Sequence, residues 1–161
     1  MEWLCYTDGS VKAGEGGPGG WGFTVKSPEG QRLEGFGKAK GTLAKVMEYQ
    51  AVAEALAVLP EKAQALVFSD SQSLVENLGK SLEVWRARDF AKVDPLIVPA
   101  VRKISDAIVT KQLTVRYQWV RSHNGNPGNE RADELATQGA REAKKEVEAE
   151  LEAQRKAKYR R

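Results

Sequence analysis

Short apolar stretches cut by glycine and proline fill the N-terminal part of this chain, and apolar residues at helical spacing fill most of the rest. That change of rhythm predicts an order of elements. Residues 3–8 read as a strand ending at Asp8, and the run from Gly14 to Gly20 as a turn into a second strand, Trp21 to Val25. Ser27-Pro28-Glu29-Gly30 is a further turn, after which Arg32 to Gly37 alternates charged, apolar and small residues as an edge strand does. Between Leu43 and Leu59, the residues Val46, Met47, Val52, Ala53 and Leu56 fall on one helical face, and Pro60 closes the run. Ala65 to Phe68 suits a buried central strand, with Asp70 or Ser71 opening a helix through Leu74, Val75 and Leu78. Residues 96–109 predict another helix, 114–120 a last strand, and 121–128 a polar loop into a helix starting near Asn129.

Three strands, a helix, a strand, helices, a strand and a helix specify an α/β layer with a mixed five-stranded sheet flanked by helices. Parallel pairing of the first and fourth strands would set Asp8 beside Asp70. Open α/β sheets place their sites at such carboxyl ends.

A chain of 161 residues is the size of one ordinary domain. The reading is a domain over 1–140 followed by a charged helical or flexible tail over 141–161, where Val147 and Leu151 are the sizeable apolar residues before Tyr159. No apolar stretch approaches the roughly 20 residues of a membrane span, and the N-terminus lacks the basic start and apolar run of a secretory signal. The expectation is a cytoplasmic protein with no membrane role. Cys5 is the single cysteine, which excludes an internal disulfide and reads as a small core residue. A net charge of +3 and a pI near 9.0 suit a nucleic-acid partner without demanding one.

The candidate chemistry lies in four acids: Asp8 in Thr7-Asp8-Gly9-Ser10, Glu48 after Met47, Asp70 in Ser69-Asp70-Ser71, and Asp133 in Arg131-Ala132-Asp133. Gathered by the fold, they would repel; two carboxylates about 5 Å apart cost roughly 3 kcal/mol at an effective dielectric of about 20. Divalent cations relieve that, and oxygen-only ligands favour Mg²⁺ or Mn²⁺ over zinc. Taken singly, each acid also has an ordinary reading as a turn or helix cap, an exposed helical glutamate or a first-turn acid.

Together with His123-Asn124-Gly125-Asn126-Pro127-Gly128-Asn129-Glu130-Arg131-Ala132-Asp133, these motifs closely resemble ribonuclease H type 1 over residues 3 to about 140. The resemblance implies a ribonuclease-H-like sheet of order 3-2-1-4-5. It also implies hydrolysis of the RNA strand of RNA–DNA hybrids, leaving 5′-phosphate and 3′-hydroxyl ends, with two Mg²⁺ ions and Mn²⁺ as a possible substitute. Asp8, Glu48 and Asp70 would hold one ion, Asp8 and Asp133 the other. His123, the single histidine, would help handle protons or product from a mobile loop.

Substrate-contact candidates on the same reading are Gly9, Ser10, Thr42, Lys45, Ser71, Trp85, Arg86, Arg88 and Asn129. The family commonly carries an asparagine pair shortly before the helix glutamate, where this chain has Leu43, Ala44 and Lys45. Its glycine-rich loop is a residue longer than the family pattern and carries Glu15, an awkward charge beside a phosphate backbone. The basic handle that many bacterial members insert looks short here. The terminal Arg155-Lys156-Ala157-Lys158-Tyr159-Arg160-Arg161 reads either as a solvated end or as a nucleic-acid arm. The competing readings are a catalytically silent ribonuclease-H-like binding module and another nuclease of the superfold. Four mutually repelling acids argue against the first, and Gly9-Ser10 after Asp8 with the 123–133 loop argues against the second. The chain is expected to act as a monomer.

Overall fold

The structure is a computed structural model that describes residues 1–160. Strands β1 (Trp3–Val11), β2 (Gly19–Lys26), β3 (Arg32–Ala39), β4 (Gln64–Ser69) and β5 (Thr114–Trp119) form one mixed sheet of order β3-β2-β1-β4-β5. The β1–β2 and β2–β3 pairs are antiparallel, and the β1–β4 and β4–β5 pairs parallel. Sheet type, order and the helical flanks are those the sequence predicts.

One strand differs from expectation. β1 does not end at Asp8 but continues to Val11, because the β2 ladder runs on through Gly9↔Trp21 to Val11↔Gly19 after the β4 ladder has stopped at Tyr6↔Phe68. Asp8 therefore stands where β1 parts from β4, rather than at a strand end. Extending the β1–β4 register by two residues sets Asp8 opposite Asp70, and the Thr7 hydroxyl ties the strands just before they part by donating to the Phe68 carbonyl at 3.1 Å.

Helix α1 (Ala44–Ala57) packs on one face of the sheet beside α4 (Val98–Lys111), with the shorter α2 (Gln72–Lys80) and α3 (Leu82–Ala87) alongside. Their shared core contains Cys5, Phe23, Val25, Val52, Leu56, Val67, Leu74 and Ile104. Burial pushes the Cys5 thiol up to about 12, so it stays protonated and inert. Between α3 and α4 the chain makes a tight reversal rather than a long handle. Asp89 and Phe90 take positive φ angles of 51° and 60°, Phe90 is buried, and the Arg102 guanidinium lies 4.8 Å over its ring while bonding Asp89 at 3.0 Å.

Helix α5 (Pro127–Lys158) covers the opposite face over β1, β2 and β3. Its 32 residues span about 48 Å. The first half packs through Ala132, Ala136, Gly139 and Ala140, and the charged second half continues as the same helix. That second half is tied back by ion pairs from Lys38 to Glu146 and from Lys40 to Glu150. No helix among the described residues is long and apolar enough to cross a membrane.

Candidate active site

Two helices approach the β1–β2 hairpin at backbone distance, one on each face, because glycine leaves room for them. A Cβ on Gly9 would lie 2.6 Å from the Glu48 nitrogen and 2.7 Å from the Met47 carbonyl carbon, so α1 crosses β1 against Gly9 and delivers Glu48 there. On the other face, a Cβ on Gly22 would lie 2.7 Å from the Ala132 oxygen and 2.6 Å from the Ala136 nitrogen. Gly22 is the β2 partner of Asp8, so Ala132 and its neighbour Asp133 arrive beside Asp8. At the first turn of α5, Gly128 accepts the Tyr6 ring where a Cβ would be 2.4 Å away, and Tyr6 stacks on Phe68 at 4.6 Å. The Arg131 guanidinium clamps the same turn to β3, bonding Glu34 at 2.7 and 2.9 Å.

The four acids interact in pairs around this crossing. Asp8 is 6% exposed, and burial together with the charges and hydrogen-bond reach of Asp70 and Asp133 pushes its carboxyl up to about 8. The Gly9 amide donates to Asp8 Oδ1 at 2.9 Å and opposes that rise. Burial also raises Glu48, opposed by a hydrogen bond from Ser71 and reinforced by the charges of Asp70 and Glu15. Asp70 is positioned through its backbone. The Trp119 indole Nε1 donates to its carbonyl at 3.1 Å, while Val120 N donates to the Ser69 carbonyl at 2.9 Å. No arginine or lysine is among the groups acting on Asp8.

This donor chemistry suits a hard divalent cation. The acids are oxygen-only, burial and neighbouring acids raise Asp8 and Glu48, and a positive ion between them would reverse that penalty. No group of three converges to ligating distance among the described residues, and the interactions are pairwise: Asp8 with Asp70, Asp8 with Asp133, and Glu48 with Asp70.

The other candidates divide. Ser71 belongs to the site. Its hydroxyl accepts from Leu74 N at 3.3 Å as the cap of α2 and bonds Glu48. Ser10 follows Asp8 by two residues on the same face of β1, and Thr42 lies half-buried just before α1, hydrogen-bonded to the β1–β2 loop. His123 projects from an exposed loop with a positive φ of 54° and makes no side-chain hydrogen bond among the described residues.

Other candidates are committed elsewhere. Lys45 is ion-paired to Asp94 rather than free. Arg86 Nε donates to Ser105 Oγ at 2.6 Å, which turns this cation into the protein, and Trp85 is half-buried against the core. Asn129 is 4% exposed on α5, and its backbone N–H is the one that Asn126 Oδ1 caps at 3.1 Å. Arg88 remains exposed and makes no ion pair among the described residues. Trp119 was not among the sequence candidates, although alternation along the last strand puts its position at the strand end facing Asp70; its register partner is Ser69.

Comparison with known proteins gives the family and the fold. A family model described as RNase H matches residues 1–141. A curated ribonuclease H of Albidiferax ferrireducens is 41% identical over 137 residues, covering 83% of this chain and 91% of the relative. Among solved structures, LC9-RNase H1, described as a type 1 RNase H with the type 2 active-site motif, superposes with a TM-score of 0.72 at 24% identity, covering 86% of this chain and 71% of that one. LC11-RNase H1, solved in complex with an RNA/DNA hybrid, superposes with a TM-score of 0.64 at 21% identity, covering 88% of this chain and 99% of that one.

Proposed function

This chain belongs to the ribonuclease H family and is a ribonuclease H enzyme, and from that premise we propose that it cuts the RNA strand of RNA–DNA hybrids at the Asp8 crossing, using two divalent cations. The observation that carries the reading is that Asp70, at the end of β4, and Asp133, on α5, both act on the buried Asp8 of β1 and add to the rise of its carboxyl. Such a cluster is unfavourable unless cations join it.

Asp8, Glu48 and Asp70 would hold one Mg²⁺, and Asp8 with Asp133 the other, with Mn²⁺ as an alternative. Cations held there would supply Lewis-acid activation of a water and charge stabilisation at the leaving oxygen, which would leave 5′-phosphate and 3′-hydroxyl ends. The protein's own part is positioning. The Gly9 amide fixes one oxygen of Asp8, Ser71 keeps Glu48 oriented, Trp119 anchors the Asp70 carbonyl, and the Arg131–Glu34 clamp fixes the turn bearing Asp133. His123, on its exposed loop, would take or return a proton near the leaving group or help product depart. Gly9, Ser10 and Thr42 would meet the hybrid's sugars and phosphates through the shape-based contacts that A-form strands require.

The test is incubation of an end-labelled RNA–DNA hybrid, single-stranded RNA and duplex DNA with Mg²⁺, Mn²⁺ or EDTA. Metal-dependent cutting of the hybrid's RNA strand alone is expected. A folded protein that cuts nothing under either metal would overturn the proposal.

A further inference from the structure

Helix α1 enters the site without a cap of its own. Leu43 is its N-cap residue and offers no side-chain hydrogen bond. The cap comes from elsewhere: Glu15, in the β1–β2 loop, accepts from the Ala44 amide through Oε2 at 3.2 Å. Glu15 reaches it because Gly14 and Gly16 on either side take positive φ angles of 85° and 91°, which turn the loop over the segment before α1. Two backbone hydrogen bonds hold it there, Gly16 N to the Thr42 carbonyl at 2.8 Å and Thr42 N to the Gly17 carbonyl at 2.9 Å. Loop and helix entrance are thus joined into one edge on the Glu48 side of the acids.

The charge on that edge is unusual for a surface that meets a polyanion. Glu15 is exposed, and its charge acts on Glu48, one turn into α1. The nearby cation Lys45 feels Glu15 too but is ion-paired to Asp94. Glu15 forms no ion pair among the described residues.

We propose that Glu15 is a specificity-determining residue of the substrate groove, an anionic latch that caps α1 across this edge and limits how strongly the edge attracts the hybrid's phosphate backbone. This rests on the reading of the site as a hybrid-cutting one. In the resting protein the latch completes α1 and keeps the glycine-rich loop seated. When a hybrid docks, the same carboxylate stands against its phosphates, so binding depends on close shape fit elsewhere along the groove more than on charge at this edge.

Glu15→Gln separates the two roles, because its amide oxygen still accepts from Ala44 N while the charge is gone. Cleavage kinetics of the parent, Glu15→Gln and Glu15→Ala with Mg²⁺ on one hybrid, at about 20 mM and about 200 mM salt, test the proposal. Glu15→Gln is expected to lower KM by about three- to tenfold at low salt with kcat within about twofold of the parent, and the gain is expected to shrink at high salt as screening shortens. Glu15→Ala is expected to show the same salt-sensitive fall in KM together with a lower melting temperature than Glu15→Gln, from loss of the cap. A Glu15→Gln variant with the parent's KM at both salts would overturn the proposal, as would a change confined to kcat. A parent that does not cut the hybrid would instead overturn the functional reading itself, so the two failures are distinct.

Discussion

Asp8 and Gly22 are register partners across the β1–β2 ladder, and the absence of a side chain on Gly22 is what brings the start of α5 to Asp8. The acid at the centre of the site and the glycine that admits its neighbour are therefore one structural unit. A Gly22→Ala substitution would place a Cβ 2.6 Å from the Ala136 nitrogen, with backbone on both sides and no flexible side chain to yield. The expected cost is about 1–3 kcal/mol, with α5 displaced from β2. Cleavage should fall well beyond what the unfolded fraction explains, which thermal melting and rate measurements on the same sample can separate.

Burial and neighbouring acids hold the Asp8 carboxyl up to about 8, against 3.8 when unperturbed. The native state therefore binds this proton more tightly than the unfolded chain does. The stability it contributes is complete below about pH 4 and is lost as pH rises toward 8. Without metal, Asp8→Asn should be more stable than the parent, with a gap that widens between pH 4 and pH 8 and reaches at least about 1.4 kcal/mol, the equivalent of one pKa unit. Added Mg²⁺ should then raise the parent's melting temperature and leave that of Asp8→Asn nearly unchanged. Melting curves across pH, with EDTA and with Mg²⁺, check both halves.

Trp119→Phe keeps the ring and removes the donor to the Asp70 carbonyl. The loss in stability should be about 0.5–1.5 kcal/mol, since the indole is partly exposed. If the bond positions Asp70, the Mg²⁺ concentration for half-maximal cleavage should rise several-fold while KM for the hybrid changes little. A Mg²⁺ titration of the initial rate reads this directly.

Arg86 and Arg88 are near neighbours in sequence with opposite fates. Arg86 bonds Ser105 inside the fold, whereas Arg88 stays exposed. Arg86→Ala should destabilise by about 1–3 kcal/mol because it strands a buried hydroxyl and opens packing. Arg88→Ala should leave the melting temperature unchanged and reduce the salt slope of hybrid binding by about one if it contacts a phosphate. Filter binding across salt, beside melting curves, distinguishes the two.

The mixed sheet was legible because β1 and β4 carry apolar runs ended by turn residues, β5 alternates, and a helix between β3 and β4 requires a parallel crossover, while the strand order came with the family resemblance. The acids stood out because Asp8 and Asp70 follow apolar runs, Glu48 and Asp133 lie near helix starts, and their motifs resemble the family's. What lay outside the sequence was long-range partnership. Nothing near Lys45 in the chain announces Asp94, and nothing near Arg86 announces Ser105, so both read as free cations. Asn129 was read at a helix start, and Pro127 with the Asn126 cap begins α5 two residues earlier and leaves Asn129 4% exposed. Glu15 read as a misplaced charge, and only the folded loop shows it capping a helix whose own N-cap is leucine.

The most direct test of the central claim compares single-turnover cleavage of one hybrid by the parent, Asp8→Asn, Glu48→Gln, Asp70→Asn and Asp133→Asn, each shown to fold and to bind the hybrid. The account predicts that each amide variant binds hybrid but cuts it slower by a factor on the order of 100 or more, because each removes a ligand for the catalytic cations. Parental rates in Asp8→Asn or Asp70→Asn would contradict it, since the crossing of β1, β4 and α5 would then not be where the RNA strand is cut.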